Sequence, residues 1–409
     1  MPVTLGRVVF SDKEDVEMSL GRKSLIPILF LVVAFAGAWA PVWAQNKYAY
    51  VANWTDNTVS GYLRDATTGV LTQIAGSPWL AGNAPAGVAV DQTGTCVFVA
   101  NFLSNNVSAY KITASTGVLT PVTGSPFSTG TAPIAVAVDN PFGQLVYVAN
   151  AFDGSGSLGS TSAFQINALT CALTAVLGSP FRDTATPTPS NPSSVVVDRS
   201  GSFVYVTNEF SNNVSGFKIN LTPGPSFGAL TPVGAPIAAG TWPISAVAVP
   251  QSGVNFIYVS NDGSNNVSGY SFDGTTGVLT AVPGSPLSLT NATSPGLATI
   301  PGGFRQLYVP NFDSNNVSAI NIFTTCTPPW PPSPCTPTGA MAEVTGSPFR
   351  TGSGPTSVAV DPSGKFAYVT SMLSNNVWGY NINGSNGALT VSGAPVPAGQ
   401  FAISVFFTP

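Results

Sequence analysis

This chain contains no histidine, and charge of either sign is scarce: of 409 residues, 13 are Lys or Arg and 17 are Asp or Glu. Without histidine the usual general base at neutral pH and the commonest metal ligand are both missing. Four cysteines are present, none in a paired C-x-x-C spacing. Zinc is therefore not expected, and neither is any other metal or cofactor. So few and scattered cations cannot build a phosphate-binding surface, which excludes nucleic acid as a partner. Beyond residue 44 no apolar run is long enough to span a bilayer. What is present is 44% hydrophobic residues, 42 Gly and 36 Pro. That much apolar surface argues for a folded chain, and Gly and Pro at this density suit short strands joined by turns.

The N-terminus reads as an export signal. Arg22 and Lys23 precede an uncharged run from Leu25 to Trp43, and "VWA" (Val42–Ala44) supplies the small residues of a cleavage site. Asp12, Glu14, Asp15 and Glu17 fit such a signal badly, so Met18 reads as the true start. The run also has the length of an uncleaved anchor, but Pro27, Gly37 and Pro41 interrupt it. Residues 1–44 are thus expected to form an extension and signal peptide, with residues 45–409 one exported, monomeric domain and no lasting membrane insertion.

A repeat dominates the rest. "YAYVAN", "VFVAN", "VYVAN", "VYVTN", "IYVSN" and "LYVPN" end at Asn53, Asn101, Asn150, Asn208, Asn261 and Asn311, and "AYVTS" ends at Ser371. The spacing stays near 50 residues, with four strand-like runs per unit, which marks a propeller. The string "NNVS" starts at Asn105, Asn212, Asn265 and Asn315, with variants at Asp56 and Asn375. It sits between the second and third strands, where Asn tolerates left-handed backbone. "GSP" or "GAP" marks each crossing to the next unit. The chain begins in a second-type strand and ends in a first-type strand, "FAISVFF". The prediction is an all-β, seven-bladed propeller of four antiparallel strands per blade. The C-terminal strand completes the N-terminal blade and closes the ring.

These repeats resemble the YVTN-type, lactonase-like seven-bladed propellers, over nearly all of residues 47–407. The resemblance implies lactone hydrolysis, as in 6-phosphogluconolactonase-like propellers, carried out by histidine and arginine in a central pocket. With no histidine here, no catalytic residue carries over. The fold alone hosts both enzymes and binding proteins.

Two functional readings follow. In the first, the strand-ending Asn53, Asn101, Asn150, Asn208, Asn261 and Asn311 form a neutral rim at the axial opening, with Arg182 and Arg350 of the "GSPFR" crossings. That rim would bind a glycan or protein without chemistry. Trp54, Trp79 and Trp242 would stack on sugars or pack between blades. In the second, a hydrolase uses Glu209 or Asp262, the acids that replace apolar residues after the strand-ending Asn of units four and five. The "VAVD" aspartates (Asp91, Asp139, Asp198, Asp361) read as turn caps on the opposite face. The "NVS", "NWT" and "NLT" strings match glycan acceptors but are explained by the repeat. Cys326 and Cys335 in "CTPPWPPSPC" read as a local disulfide, and Cys96 and Cys171 fall near turns of units two and three where a second bridge is open.

N-terminal sequencing of the exported protein is expected to begin "QNKYAY". A mature chain retaining Leu25–Ala44 would contradict the cleavage.

Overall fold

The computed structural model describes residues 48–139, 142–152, 159–182, 190–251, 254–289, 298–299, 306–325 and 336–408. The expected cleavage site and the Cys326–Cys335 pair lie outside these residues.

Seven antiparallel sheets are present, each a blade. In blade 2 the strands are Pro85–Val90, Cys96–Asn101, Asn106–Ile112 and Leu119–Pro121, ordered from first to fourth across the sheet. A two-residue strand, Phe127–Ser128, folds back on the start of the third strand before the chain crosses to blade 3. Second strands such as Cys96–Asn101 and Phe203–Asn208 are buried at every residue. Their sequences are near-continuous apolar runs because neighbouring blades cover both faces. Ring closure is as the sequence predicts. Ala402–Phe407 pairs antiparallel with Tyr48–Asn53, with Val51 opposite Val405 and Asn53 opposite Ala402. The N- and C-terminal segments thereby form one blade, blade 1.

Each of the seven seams between blades holds one apolar cluster, and no cluster is confined to a single blade. Between blades 1 and 2, for example, Tyr50, Val59 and Ile74 pack on Val88, Val97 and Tyr110. A four-stranded blade cannot bury both of its faces alone, so the apolar driving force acts across seams.

One polar contact repeats at six seams. The tyrosine of the second strand donates its hydroxyl to the carbonyl of a glycine of the next blade, which lies in the turn between the third and fourth strands or, for Gly339, in the fourth strand itself. The pairs are Tyr50–Gly117 (2.7 Å), Tyr147–Gly228 (3.0 Å), Tyr205–Gly277 (2.8 Å), Tyr258–Gly339 (3.0 Å), Tyr308–Gly387 (2.9 Å) and Tyr368–Gly69 (2.6 Å). The glycine has positive φ, and the side chain two residues before the tyrosine lies directly against it. A Cβ on Gly117 would sit 2.4 Å from the ring of Tyr48, and one on Gly277 2.4 Å from Phe203. Glycine is required on both counts.

The seam between blades 2 and 3 is built differently. Phe98 replaces the tyrosine and has no hydroxyl, while Cys171 replaces the glycine at φ 62°. Opposite the Cys171 Cβ stands Cys96, the residue that elsewhere covers the glycine. The two form a disulfide with a Cα–Cα distance of 5.6 Å. At the seam between blades 7 and 1, buried Arg64 pairs with Asp361 at 3.4 Å and lies over the Phe366 ring.

The Cys96–Cys171 bond spans 75 residues of chain. In the chain-entropy account its loss costs on the order of 4 kcal/mol. Cys96→Ser with Cys171→Gly should lower stability on that scale in urea titrations. Adding Phe98→Tyr to this pair restores the tyrosine–glycine contact and should recover about 0.5–1.5 kcal/mol. No recovery would show that the two devices are not equivalent.

Candidate functional site

The face carrying the second-to-third-strand turns and the blade crossings is where the sequence places a ligand. Its polar repeat turns out to be scaffold. Asn101 is fully buried. Its Nδ2 donates to Asn106 Oδ1 (2.8 Å) and Ser108 Oγ (2.9 Å), and its Oδ1 accepts from the Gly82 amide (3.1 Å). Asn53, Asn150, Asn208, Asn261 and Asn311 are likewise buried, at 0–3% exposure. Each donates Nδ2 to the serine two residues into its own third strand, as Asn208 does to Ser215 and Asn311 to Ser318. The expected neutral rim is therefore corrected. These carboxamides lie beneath the surface, because period-two alternation turns them toward the third strand and crossing segment.

The repeated "NNVS" is explained residue by residue. Its first Asn takes left-handed backbone, with φ 54° at Asn105 and Asn212 and 52° at Asn315. Its side-chain carbonyl accepts the backbone amide at the start of the next blade: Asn57 from Ala84, Asn105 from Ala132, Asn212 from Trp242 and Asn315 from Gly354, each at 2.8 Å. The second Asn and the Ser cradle the strand-ending carboxamide. The second glycine of "GSPF..G" is fixed by the same group, since a Cβ on Gly82 would lie 2.7 Å from Asn101 and one on Gly399 2.5 Å from Asn53.

On the opposite face the "VAVD" aspartates cap turns as expected. Asp361 Oδ1 accepts from the Lys365 and Phe366 amides (3.0 and 2.8 Å), and Asp198 Oδ1 from Ser202 and Phe203 (both 2.7 Å).

What remains outside the scaffold is the residue after each strand-ending position: Trp54, Phe102, Ala151 with Phe152, Glu209, Asp262, Phe312 and Met372. Except for buried Ala151, all are half-buried. Their amides bond to carbonyls at the starts of the innermost strands, as Trp54 to Phe401, Phe102 to Ala84, Glu209 to Asn191, Asp262 to Trp242 and Met372 to Gly354. They therefore ring the mouth of the propeller. Trp54 and Phe102 touch, with ring centroids 5.2 Å apart. Trp242 and Phe210, beside the acids, are 51% and 55% exposed. Trp79, by contrast, packs into the seam between blades 1 and 2.

The two acids sit in adjacent blades. Burial, and secondarily the negative charge of Asp262, hold the Glu209 carboxyl above its ordinary range. Asn191 donates Nδ2 to Glu209 Oε2 at 3.0 Å and fixes the carboxylate. Arg182 and Arg350 come from other blades. They occupy exposed positions of blades 3 and 6, three blades apart, and Arg350 lies across from Asn316 at a third-strand start. Among the described residues no three of Asp, Glu, Cys or His are grouped to hold a metal. A groove of about 590 Å³ lined by Ser202, Lys218 and Leu221 lies at the other end of blade 4, away from the acids.

A profile of the lactonase seven-bladed β-propeller family matches residues 40–138 and 140–294, more than half of the chain. The chain belongs to this family. Among solved structures, a candidate 6-phosphogluconolactonase of Bacteroides fragilis superposes with a TM-score of 0.71 at 18% identity, covering 90% of this chain and 99% of that one. The periplasmic gluconolactonase of Pseudomonas aeruginosa gives 0.69 at 16%, covering 89% and 99%. A Lactobacillus plantarum protein gives 0.67 at 19%, covering 89% and 100%. At such identities the likeness concerns the fold. A search of curated proteins found no match.

If the strand-ending carboxamides are scaffold, Asn101→Ala should lower stability by about 2–4 kcal/mol, because it strands several buried partners. The urea midpoint should fall with no change in slope. A variant as stable as the parent would return Asn101 to the list of ligand groups.

Proposed function

We propose that this lactonase-family propeller hydrolyses a lactone at the mouth ringed by Trp54, Phe102, Glu209, Asp262, Phe312 and Met372, with Glu209 as general base. The observation that carries the reading is the raised, oriented Glu209 carboxyl: half-buried, held by Asn191 and facing the charge of Asp262. A base whose affinity for protons is raised toward the working pH is the more effective one, and histidine is not available for the role.

In the proposed step, ionised Glu209 takes a proton from water as the water oxygen attacks the lactone carbonyl carbon. The tetrahedral intermediate then expels the ring oxygen, which leaves as a hydroxyl after taking the proton back from Glu209. Water and lactone become one hydroxy acid, with the proton count unchanged. The hydroxy acid then releases its carboxyl proton to solvent, which leaves an anion beside Asp262 and the re-ionised Glu209, so like-charge repulsion favours its release. The Cys96–Cys171 bond supports the export reading, since such bonds persist in oxidising compartments.

A second reading, a binding face for glycan or protein with no chemistry, is favoured by the exposed aromatics Trp242 and Phe210 and by the lack of histidine. Hydrolysis of a lactone panel separates the two. Wild-type kcat/KM should rise with pH through the raised Glu209 pKa. Glu209→Gln should abolish it, and Asp262→Asn, by removing a like charge, should move the rising limb to lower pH. The stability effect has the opposite sense to activity. A carboxyl with a raised folded-state pKa contributes stability below its unfolded pKa and loses it as pH rises through the folded value. At neutral pH, Glu209→Gln should therefore fold at least as stably as the parent, so lost activity cannot be ascribed to unfolding. An unchanged rate in Glu209→Gln, or an unmoved limb in Asp262→Asn, rejects Glu209 as base. No turnover by wild type, with retained oligosaccharide or protein binding, establishes the second reading.

A further inference from the structure

Resting on the hydrolase reading above, we infer that the lactone taken at this mouth is uncharged and carries an apolar or aromatic substituent. Among the described residues only blades 4 and 5 place an acid at these positions, and the rest present Trp54, Phe102, Phe152, Phe312 and Met372, all half-buried. The acids themselves are flanked by apolar surface. Asp262 takes its amide bond from the carbonyl of Trp242, whose indole lies over Gly263, within 3.0 Å of where a Cβ there would stand. Phe210 follows Glu209 directly and is 55% exposed, and Trp242 is 51% exposed. Large side chains this open, contiguous with a half-buried carboxylate pair, are an unusual use of surface and mark a binding face for apolar matter.

Charge points the same way. Of the described cations, Arg64, Lys111, Arg199, Lys218 and Lys365 lie at the opposite ends of their strands or in the turns there, and Arg182 and Arg350 lie at the outer crossings of blades 3 and 6. A phosphate dianion brought beside Glu209 and Asp262 would be repelled by both carboxylates. An alkyl or aryl group would lie on Trp242 and Phe210 while the ring carbonyl faces Glu209.

The test is steady-state kinetics of the full exported chain on four probes: glucono-δ-lactone, its 6-phosphate, a series of δ-alkyl δ-lactones from methyl to hexyl, and dihydrocoumarin. Along the alkyl series kcat/KM should rise about three- to fourfold per methylene until the rim is covered. The 6-phosphate should be the poorest substrate and should improve with salt, as screened repulsion requires. Trp242→Ala and Phe210→Ala should each flatten the chain-length dependence by raising KM for the longer lactones, with kcat within about twofold. A flat series, or a kcat/KM highest for the phosphorylated lactone, overturns the inference and leaves the hydrolase reading standing. Failure to turn over any lactone sinks the hydrolase reading, and this inference with it.

Discussion

The structure turns on one buried side-chain amide, repeated around the ring. A carboxamide taken out of water must use its hydrogen-bonding groups or destabilise the fold by a few kcal/mol. Asn101 answers with two bonds from Nδ2, to Asn106 and Ser108, and one accepted from Gly82 in the incoming crossing. Three segments distant in sequence are thereby pinned to one point. The same requirement dictates an Asn and a Ser in the third strand, and a glycine in the crossing where a Cβ would collide with the amide. A second Asn, in left-handed backbone, ties each turn to the start of the next blade. "NNVS" is thus a set of four positions with three separate duties, which is why it recurs with so little variation within this one chain.

At the other end of the strands a different contact holds the seams, tyrosine hydroxyl to glycine carbonyl. Its exception is instructive. When Phe98 removes the hydroxyl, the seam keeps its geometry and changes its chemistry: the glycine position becomes Cys171, the side chain that would cover it shrinks to Cys96, and a covalent bond stands where a hydrogen bond would be. The position tolerates a Cβ only because the residue opposite is small. A ring of blades makes such local exchange feasible, since each seam is an independent nearest-neighbour contact.

The blade count and the ring closure were legible in the sequence because both rest on order: a period near 50 residues and a first-type strand at the wrong end. Depth was not legible. Alternation along "VFVAN" says which side of the strand Asn101 occupies, but nothing in one strand reports that a crossing segment from the previous blade roofs it over. An amide in a turn reads equally well as a ligand group or as a buried brace. The Cys96–Cys171 pairing had a readable signal in the alignment of "NALTCALT" on "TASTGVLT", which puts Cys171 at a glycine; what the sequence withheld was that Cys96 faces that glycine across the seam. The separation of Arg182 from Arg350 has an angular cause. Arg182 and Arg350 belong to crossings on opposite sides of the ring, and repeat position alone does not tell an outer third-strand edge from the inner mouth.

Because the scaffold claims the Nδ2 group of each strand-ending asparagine, the positions it leaves unused stand out. Each blade offers one residue at the mouth whose backbone is fixed by the innermost strand and whose side chain no repeat contact claims. Sevenfold geometry makes these positions equivalent, so changes in adjacent blades necessarily produce neighbours. Glu209 and Asp262 are such a pair, and their proximity follows from blade order alone without any further folding requirement. Burial at a partly apolar mouth, and secondarily the charge of Asp262, raise the proton affinity of Glu209, which Asn191 also orients. A fold whose symmetry is otherwise spent on holding itself together thus acquires an asymmetric, titratable point from two substitutions, at a ring of side chains the scaffold does not need.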